Sequence, residues 1–366
     1  MYEPWLRLSS QRPSENLPDW SVGSRLKDPA AAPPAAPQAE SRPVTVALLG
    51  ADPQVADGAR RHLHKLAWNF EHLSVIDLGN FRKRTVEFAI PLLRDLLAAG
   101  TIPLVFGADR HWARAQVQSF GELHRQVTLL EVDSRIRTEG LDLAGSPPGQ
   151  RPRYHLAHIG SQEHLTPPGR YARYESAAFD YVRLGSALND LGELEPLVRD
   201  ADLALIDVAA IQLTEAPARP DISSSGLSLR DVCQLAYYAG HSDKLTSFGV
   251  YGMTPSAPAA APATEQTLAS YAQTAWYFLR GVASRVGDFP ATVTGMQEYV
   301  VPLRDHDPVT FWRSPRSNRW WLQYPAGNFA GEERHRLLPC SAGDYQAAAE
   351  HGRMPERLLR AFRRFA

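Results

Sequence analysis

Polar or charged residues directly follow four of the most apolar runs of the sequence, in residues 107–112, 133–137, 207–215 and 252–255. These segments include four side chains of types that bind divalent metal ions: Asp109, His111, Asp133 and Asp207. A metal ion held by such side chains activates water for hydrolysis, so one hypothesis is a single metal site built from these four residues. The same segments also contain three side chains that bind carboxylates or other anions and have no lone pair for a metal: Arg110, Arg135 and Arg137.

The apolar runs before these segments predict buried β-strands at residues 44–50, 72–79, 102–107, 127–133, 203–208 and 245–251. Between them, residues 86–99, 229–239 and 265–283 have the periodicity of amphipathic helices. Alternating strands and helices predict an α/β fold, with a mostly parallel sheet covered by helices on both faces. Because the carboxyl ends of parallel strands meet at one edge, we expect the charged segments to lie together.

The regions outside this pattern predict four parts of the chain. An N-terminal segment, residues 1–27, is followed by an Ala/Pro-rich linker, residues 28–43, which cannot bury much apolar area. The α/β domain is expected at residues 44–290 and a C-terminal extension, packed on it, at residues 291–366. Within the extension, residues 299–303, 309–312 and 319–323 resemble short antiparallel strands, and residues 355–365 an amphipathic helix. Four arginines make this helix basic, which predicts a solvated face or, alternatively, a surface that docks a protein.

Composition excludes several classes of function. The 366 residues have a formal net charge of −1, so no global field attracts nucleic acid or an anionic membrane. The two cysteines, Cys233 and Cys340, lack the spacing of a zinc or redox motif. We found neither a secretory signal pattern nor a stretch of about 18 apolar residues. The sequence therefore predicts a cytoplasmic protein.

Three histidines form a second candidate metal site. His155 and His158 are three residues apart and His164 follows, a spacing that zinc sites use. The surrounding segment is rich in proline and glycine, and no cysteine lies near it. We therefore favour ordinary structural roles for these histidines.

Several of the charged segments resemble the signature segments of one enzyme family, in the same order. Residues 107–111, Gly-Ala-Asp-Arg-His, resemble the Gly-Gly-Asp-His segment of arginases, agmatinases and formimidoylglutamases, the ureohydrolases. Residues 132–137 match the family's Asp-Ala-His-x-Asp motif, and residues 205–211 match Ser-x-Asp-x-Asp. The resemblance covers about residues 44–290 and implies a three-layer αβα arginase-type fold. In the family two Mn²⁺ ions bind to these motifs.

The resemblance also shows which family residues this chain lacks. Of six matched ligand positions, only Asp133 and Asp207 keep a carboxylate, and the other four hold Arg110, Arg135, Arg137 and Ala209. Gly252 stands where the family has a glutamate that receives the guanidinium-type group of the substrate. The C-terminal Trp320-Trp321 pair resembles an extension found in a bacterial subgroup of formimidoylglutamase-like proteins. The chain is thus similar to a divergent formimidoylglutamase-like member with a degenerate metal site.

Arginines at metal-ligand positions would repel a divalent ion, because the guanidinium group keeps its charge in proteins. We expect these cations to pair with Asp133 and Asp207 and to hold the strand ends together in place of the metals. An alternative is an anion pocket, since two carboxylates leave about one of the three arginines unpaired.

These residues predict a pseudoenzyme without a cofactor, with a structural or protein-binding role. An unknown protein partner would contact the C-terminal extension, and whether the chain forms a homo-oligomer stays open. The rival hypothesis is an active hydrolase of linear carbon–nitrogen bonds that uses the rearranged site formed by Asp109, His111, Asp133 and Asp207.

Overall fold

A sheet of mostly parallel strands forms the centre of the chain. A computed structural model describes residues 4–10, 16–27, 44–121, 123, 126–137, 154–220, 223–254, 261–289, 293–304, 306–324 and 335–365. Within these ranges the sheet has nine strands: β1 (Leu6–Arg7), β2 (Val44–Gly50), β3 (Leu73–Phe81), β4 (Thr101–Phe106), β5 (Val127–Val132), β6 (Tyr154–Ser161), β7 (Asp180–Arg183), β8 (Leu203–Asp207) and β9 (Ser247–Tyr251). Their spatial order is β1-β3-β2-β4-β9-β8-β5-β6-β7. Each neighbouring pair is parallel except β1 with β3, which confirms the predicted sheet.

Helices cover both faces of this sheet. Because successive strand residues point to opposite sides, each strand contributes side chains to two apolar cores. Leu130 packs in one apolar core with α-helical residues such as Val232 and Phe278, whereas Leu129 packs in the other core with Leu92 and Val117. The described helices are α1 (Val22–Arg25), α2 (Pro53–Leu63), α3 (Val86–Ala98), α4 (Ala113–Ser119), α5 (Arg170–Ser176), α6 (Leu184–Asn189), α7 (Glu195–Arg199), α8 (Leu229–His241), α9 (Ala261–Ala283), α10 (Ala342–His351) and α11 (Glu356–Phe365). The three-layer α/β fold is thereby confirmed.

Helices α8 and α9 approach each other closely through glycines. A Cβ atom on Gly240 would lie 2.1 Å from the carbonyl oxygen of Phe278, and one on Gly281 would lie 2.3 Å from that of Tyr237. Only residues without a side chain allow this backbone contact. No helix in the described ranges is long and apolar enough to cross a membrane.

The N-terminal segment packs on the large sheet. Strand β1 pairs with β3, with Leu6 opposite Phe81, and Val22 of α1 is fully buried. The Ser9 hydroxyl donates to Asp57 at 2.8 Å, which fastens the segment to α2. The predicted linker, residues 28–43, lies outside the described residues, and the domain boundaries stay predictions.

Three strands of the large sheet, β1, β6 and β7, were not among those predicted. Strand β6 contains His155 and His158, which interrupt the run of apolar residues used as the signal. Both histidines are nevertheless buried. Buried polar side chains that form hydrogen bonds can occupy a central strand, and a hydropathy pattern cannot identify such partners.

The C-terminal extension contains the three predicted antiparallel strands and a fourth, β13, that was not predicted. Strands β10 (Gln297–Val301), β11 (Val309–Arg313), β12 (Trp320–Gln323) and β13 (Leu337–Cys340) form a sheet in that order among the described residues. Phe311 and Leu322 are fully buried in an apolar core that the sheet shares with Leu358 of α11.

The extension contacts the edge of the large sheet where the strands begin. Arg199 of α7 donates to the carbonyl oxygens of Trp320 and Cys340, both at 3.2 Å. Arg364 of α11 pairs with Asp200 at 2.7 Å and donates to Thr128 of β5 at 2.7 Å. These contacts lie at the amino ends of the strands, on the opposite edge of the sheet from the carboxyl ends.

Most of the arginines of α11 form ion pairs with carboxylates of the chain. Besides the Arg364 pair, Arg357 pairs with Asp344 at 2.6 Å and Arg360 with Asp180 at 3.1 Å. A docking surface based on the basic face of this helix was predicted as an alternative. Three of its four arginines instead bind carboxylates of the chain itself.

We predict that Arg364→Gln lowers the free energy of unfolding by about 1–3 kcal/mol, because a buried carboxylate loses a charged hydrogen-bond donor. Lys244, 2.7 Å from Asp200, limits the loss. Chemical denaturation measures it, and hydrogen exchange should show faster opening of α11. The neighbouring exposed Arg363→Gln is the matched control. Equal effects of the two substitutions would contradict the proposed role of the Arg364–Asp200 ion pair in holding α11 on the large sheet.

Candidate functional site at the carboxyl ends of the strands

The loops that follow β4, β5, β8 and β9 meet at one edge of the sheet, as the sequence predicted. Arg110 lies after β4, Asp133 after β5, Asp207 at the end of β8 and Gly252 after β9. Both aspartates are at least 95% buried. Arg137 completes the group from the loop after Asp133.

Arg110 points into the protein and pairs with two carboxylates. Its guanidinium forms a short ion pair with Glu131 of β5, and its Nη1 atom lies 3.9 Å from Oδ2 of Asp133. Burial alone would lower the pKa of Arg110, but Glu131, Asp133 and Asp207 together raise it above its ordinary value. The arginine therefore stays charged.

Glu131 is a functional residue that the sequence analysis missed. It lies inside a strand whose other residues are almost all apolar, and it is 1% exposed. An acidic residue rarely occupies such a position without a cationic partner. A glutamate inside an apolar strand therefore indicates a buried cationic partner, but the sequence does not show which arginine it is.

Asp133 is held by Arg137 and by the backbone. The Arg137 Nε atom donates to Oδ2 at 2.7 Å, and the backbone N–H of Arg135 donates to Oδ1 at 3.4 Å. The Arg135 carbonyl oxygen also accepts from Nε2 of His158 at 3.0 Å. Both of these contacts of Arg135 involve its backbone, and a role for its guanidinium stays a prediction.

Asp207 begins a 3-10 turn, residues Val208–Ala210, and accepts from the backbone N–H of Ala209 at 2.8 Å. Ala209 therefore provides a backbone donor where the family motif has a carboxylate. Arg219, which the sequence analysis also missed, donates to the carbonyl oxygens of Ala209 and Ile211 at 2.6 and 2.5 Å. Backbone carbonyls have no sequence signature, so no pattern could have identified these contacts.

Gly252 lies against Asp207 in a left-handed conformation, with φ of +93°. A Cβ atom at this position would be 1.9 Å from Oδ1 of Asp207. The backbone therefore excludes a glutamate here, because both the conformation and the space require glycine.

The four residues of the predicted alternative metal site do not form one centre. Asp109 and His111 are exposed, and the Asp109 carboxylate caps the next turn by accepting from the His111 N–H at 2.7 Å. Asp133 is bound to Arg137. In the part of the chain that the structure covers, no group of three or more histidine, cysteine, aspartate or glutamate residues could hold a metal ion.

The three histidines are also separated. His155 bonds to Asp180 at 2.9 Å near the amino ends of the strands, whereas His158 bonds to Arg135 near the other edge. His164 lies in a separate 3-10 turn, Glu163–Leu165. Structural roles for His155 and His158 agree with these contacts.

Several solved structures have a similar fold. They include formiminoglutamase from Trypanosoma cruzi with Mn²⁺, 16% identical, with a TM-score of 0.57, covering 69% of this chain and 96% of that chain. Formimidoylglutamase from Bacillus subtilis is 14% identical, with a TM-score of 0.56 and coverage of 68% and 91%. An "arginase superfamily protein" from Trypanosoma cruzi is 16% identical, with a TM-score of 0.55 and coverage of 69% and 96%.

This chain has the arginase-type fold. At 14–16% identity the likeness concerns the fold. No family model matches the sequence, and a search of curated proteins found no match.

The candidate site of this arginase fold is poorly suited to a divalent metal ion. Arginine side chains offer no lone pair, and the two carboxylates nearest to Arg110, Glu131 and Asp133, already accept from guanidinium groups. Burial and the charge of Asp133 raise the pKa of Asp207 to about 6, so its proton competes with any cation. The donor set does not fit a Mn²⁺ pair.

The anion-pocket hypothesis counted two carboxylates against three arginines. Glu131 is a third carboxylate at the site and pairs with Arg110. The anion pocket stays a prediction.

We predict that Arg110→Met lowers the free energy of unfolding by about 3–5 kcal/mol, because it leaves Glu131 charged and buried without a partner. The double variant Arg110→Met/Glu131→Leu should recover much of the loss, since an apolar pair of similar volume replaces the ions. Denaturant titration measures both.

Arg84→Met is the control for this cycle. Arg84 is 70% exposed and 3.7 Å from Asp52, so its loss should change stability by less than about 0.5 kcal/mol. Simple additivity of the Arg110 and Glu131 substitutions would show that the two side chains do not interact.

The stability of the protein should depend on pH through Asp207. Asp207 holds its proton more tightly in the folded chain, with a pKa of about 6 against an ordinary 3.8. Its contribution to stability is therefore largest below pH 4 and is lost as the pH rises to about 6. Asp207→Asn removes this term, so the stability of the variant relative to wild type should rise by about 1–3 kcal/mol between pH 4 and 7. A pH-independent difference would contradict the raised pKa.

Proposed function

We propose that this chain is a catalytically inactive arginase-fold protein with a structural or protein-binding role. The observation that supports this most strongly is the ion-pair cluster of Arg110 and Arg137 with Glu131 and Asp133. It occupies the position of the metal-binding motifs that residues 107–111 and 132–137 resemble.

The backbone at Gly252 supports the same proposal. Gly252 stands where the family's glutamate would receive an amidino group, and a Cβ atom there would lie 1.9 Å from Oδ1 of Asp207. An acidic side chain cannot be accommodated there by this backbone. Metal binding and substrate binding would therefore both be absent.

The protein-binding part of the proposal concerns the C-terminal extension. Since Arg357, Arg360 and Arg364 bind carboxylates within the chain, the basic face of α11 is used internally. A partner would then contact other surfaces of the extension, such as the edge strand β10, where Val300 is 60% exposed.

The test combines metal analysis with an activity assay on the full chain. After incubation with Mn²⁺ and removal of free metal, we expect no stoichiometric manganese, no rise in melting temperature and no hydrolysis of formiminoglutamate, agmatine or arginine. An active formiminoglutamase assayed in parallel is the positive control.

Stoichiometric Mn²⁺ that stabilises the protein, together with turnover that Asp207→Asn abolishes, would refute the proposal in favour of the rival hydrolase. Turnover that survives this substitution would point to a contaminating enzyme, and a preparation purified to remove it should then be inactive.

A further inference from the structure

Several buried polar atoms in and beside the arginine cluster have no hydrogen-bond partner among the described residues, and Nη1 of Arg110 is one of them. Three others are Oε2 of Glu131, Nδ1 of His158 and the hydroxyl of Tyr174. Each of these residues is at most 1% exposed. Buried polar groups nearly always have a partner, either a protein atom or an ordered water molecule.

The three side chains come from adjacent elements. Glu131 of β5 and His158 of β6 are direct partners in the parallel register, so their side chains leave the sheet on the same face, about 4.8 Å apart at the backbone. Tyr174 of α5 packs edge-on against His158, with 6.4 Å between ring centroids and an interplanar angle of 83°. All three therefore border one small region between the sheet and α5.

The donors and acceptors in this region can be assigned. Nε2 of His158 lies 3.0 Å from the Arg135 carbonyl oxygen, which only accepts, so Nε2 has the hydrogen. Burial lowers the pKa of His158 to about 4, so the ring is neutral at pH 7 and Nδ1 has a lone pair. Oε1 of Glu131 accepts from Arg110, which leaves Oε2 as a second acceptor. The Tyr174 hydroxyl provides a donor.

We infer that one internal water molecule binds here, donating to Glu131 Oε2 and His158 Nδ1 and accepting from the Tyr174 hydroxyl. Water has two donors and two lone pairs, so it satisfies two acceptors and one donor at once. A neutral molecule suits the site better than a cation, because the Arg110 guanidinium already neutralises Glu131. This water would orient Glu131 towards Arg110, whether or not the chain is an enzyme.

Tyr174→Phe tests the inference by the sign of its effect. If the water is bound, the variant loses a hydrogen bond to it, and the melting temperature should fall by about 2 °C or more. If the hydroxyl is instead buried without a partner, its removal should leave the melting temperature unchanged or raise it. An unchanged or raised melting temperature would overturn the inference. Tyr277→Phe, at a tyrosine that is 41% exposed, is the control and should have no effect.

A crystal structure of the full-length wild type is the second measurement, which also serves if the variant fails to fold. We expect density for one water molecule within hydrogen-bonding distance of all three atoms. A direct hydrogen bond between a protonated Glu131 and His158, or no density between the three groups, would show that the inference is wrong.

Discussion

Burial of Arg110 beside Glu131 and Asp133 sets the requirements that the surrounding structure has to meet. A guanidinium group removed from water needs carboxylates at close range, and carboxylates removed from water need cations or hydrogen-bond donors. Arg137, the backbone N–H of Arg135 and the Ala209 N–H fulfil the second requirement for Asp133 and Asp207. The loops after β4, β5 and β8 are therefore tied to one another by charge at the carboxyl ends of the strands.

The ion pairs at the two edges of the large sheet connect different parts of the chain. At the amino ends, Asp180 and Asp200 bind arginines of the last helix and so connect the extension to the core. At the carboxyl ends, the ion pairs of Arg110 and Arg137 described above join residues of the α/β part. Because the two sets of charges share no residue, a substitution at one edge should leave the other set intact, as expected for independent sites.

The fold could be predicted from sequence because apolar runs and helix-period segments alternate along most of the chain. The meeting of Arg110, Asp133 and Asp207 followed from strand order, since carboxyl ends of parallel strands share an edge. The sequence could not predict in which direction each charged side chain points or which residue it pairs with. Only the structure shows that Arg110 pairs with Glu131 and that Arg219 donates to backbone carbonyls. The same is true of the hydrogen bonds that satisfy His155 and His158 inside β6.

The left-handed backbone at Gly252 has a consequence for protein engineering. Because a Cβ atom at this position would lie 1.9 Å from Oδ1 of Asp207, an acidic side chain at position 252 requires a redesigned loop. The segment after β9 would first have to be rebuilt so that it leaves the strand along another path. Side-chain exchange at the arginine positions, however complete, would leave that obstacle in place.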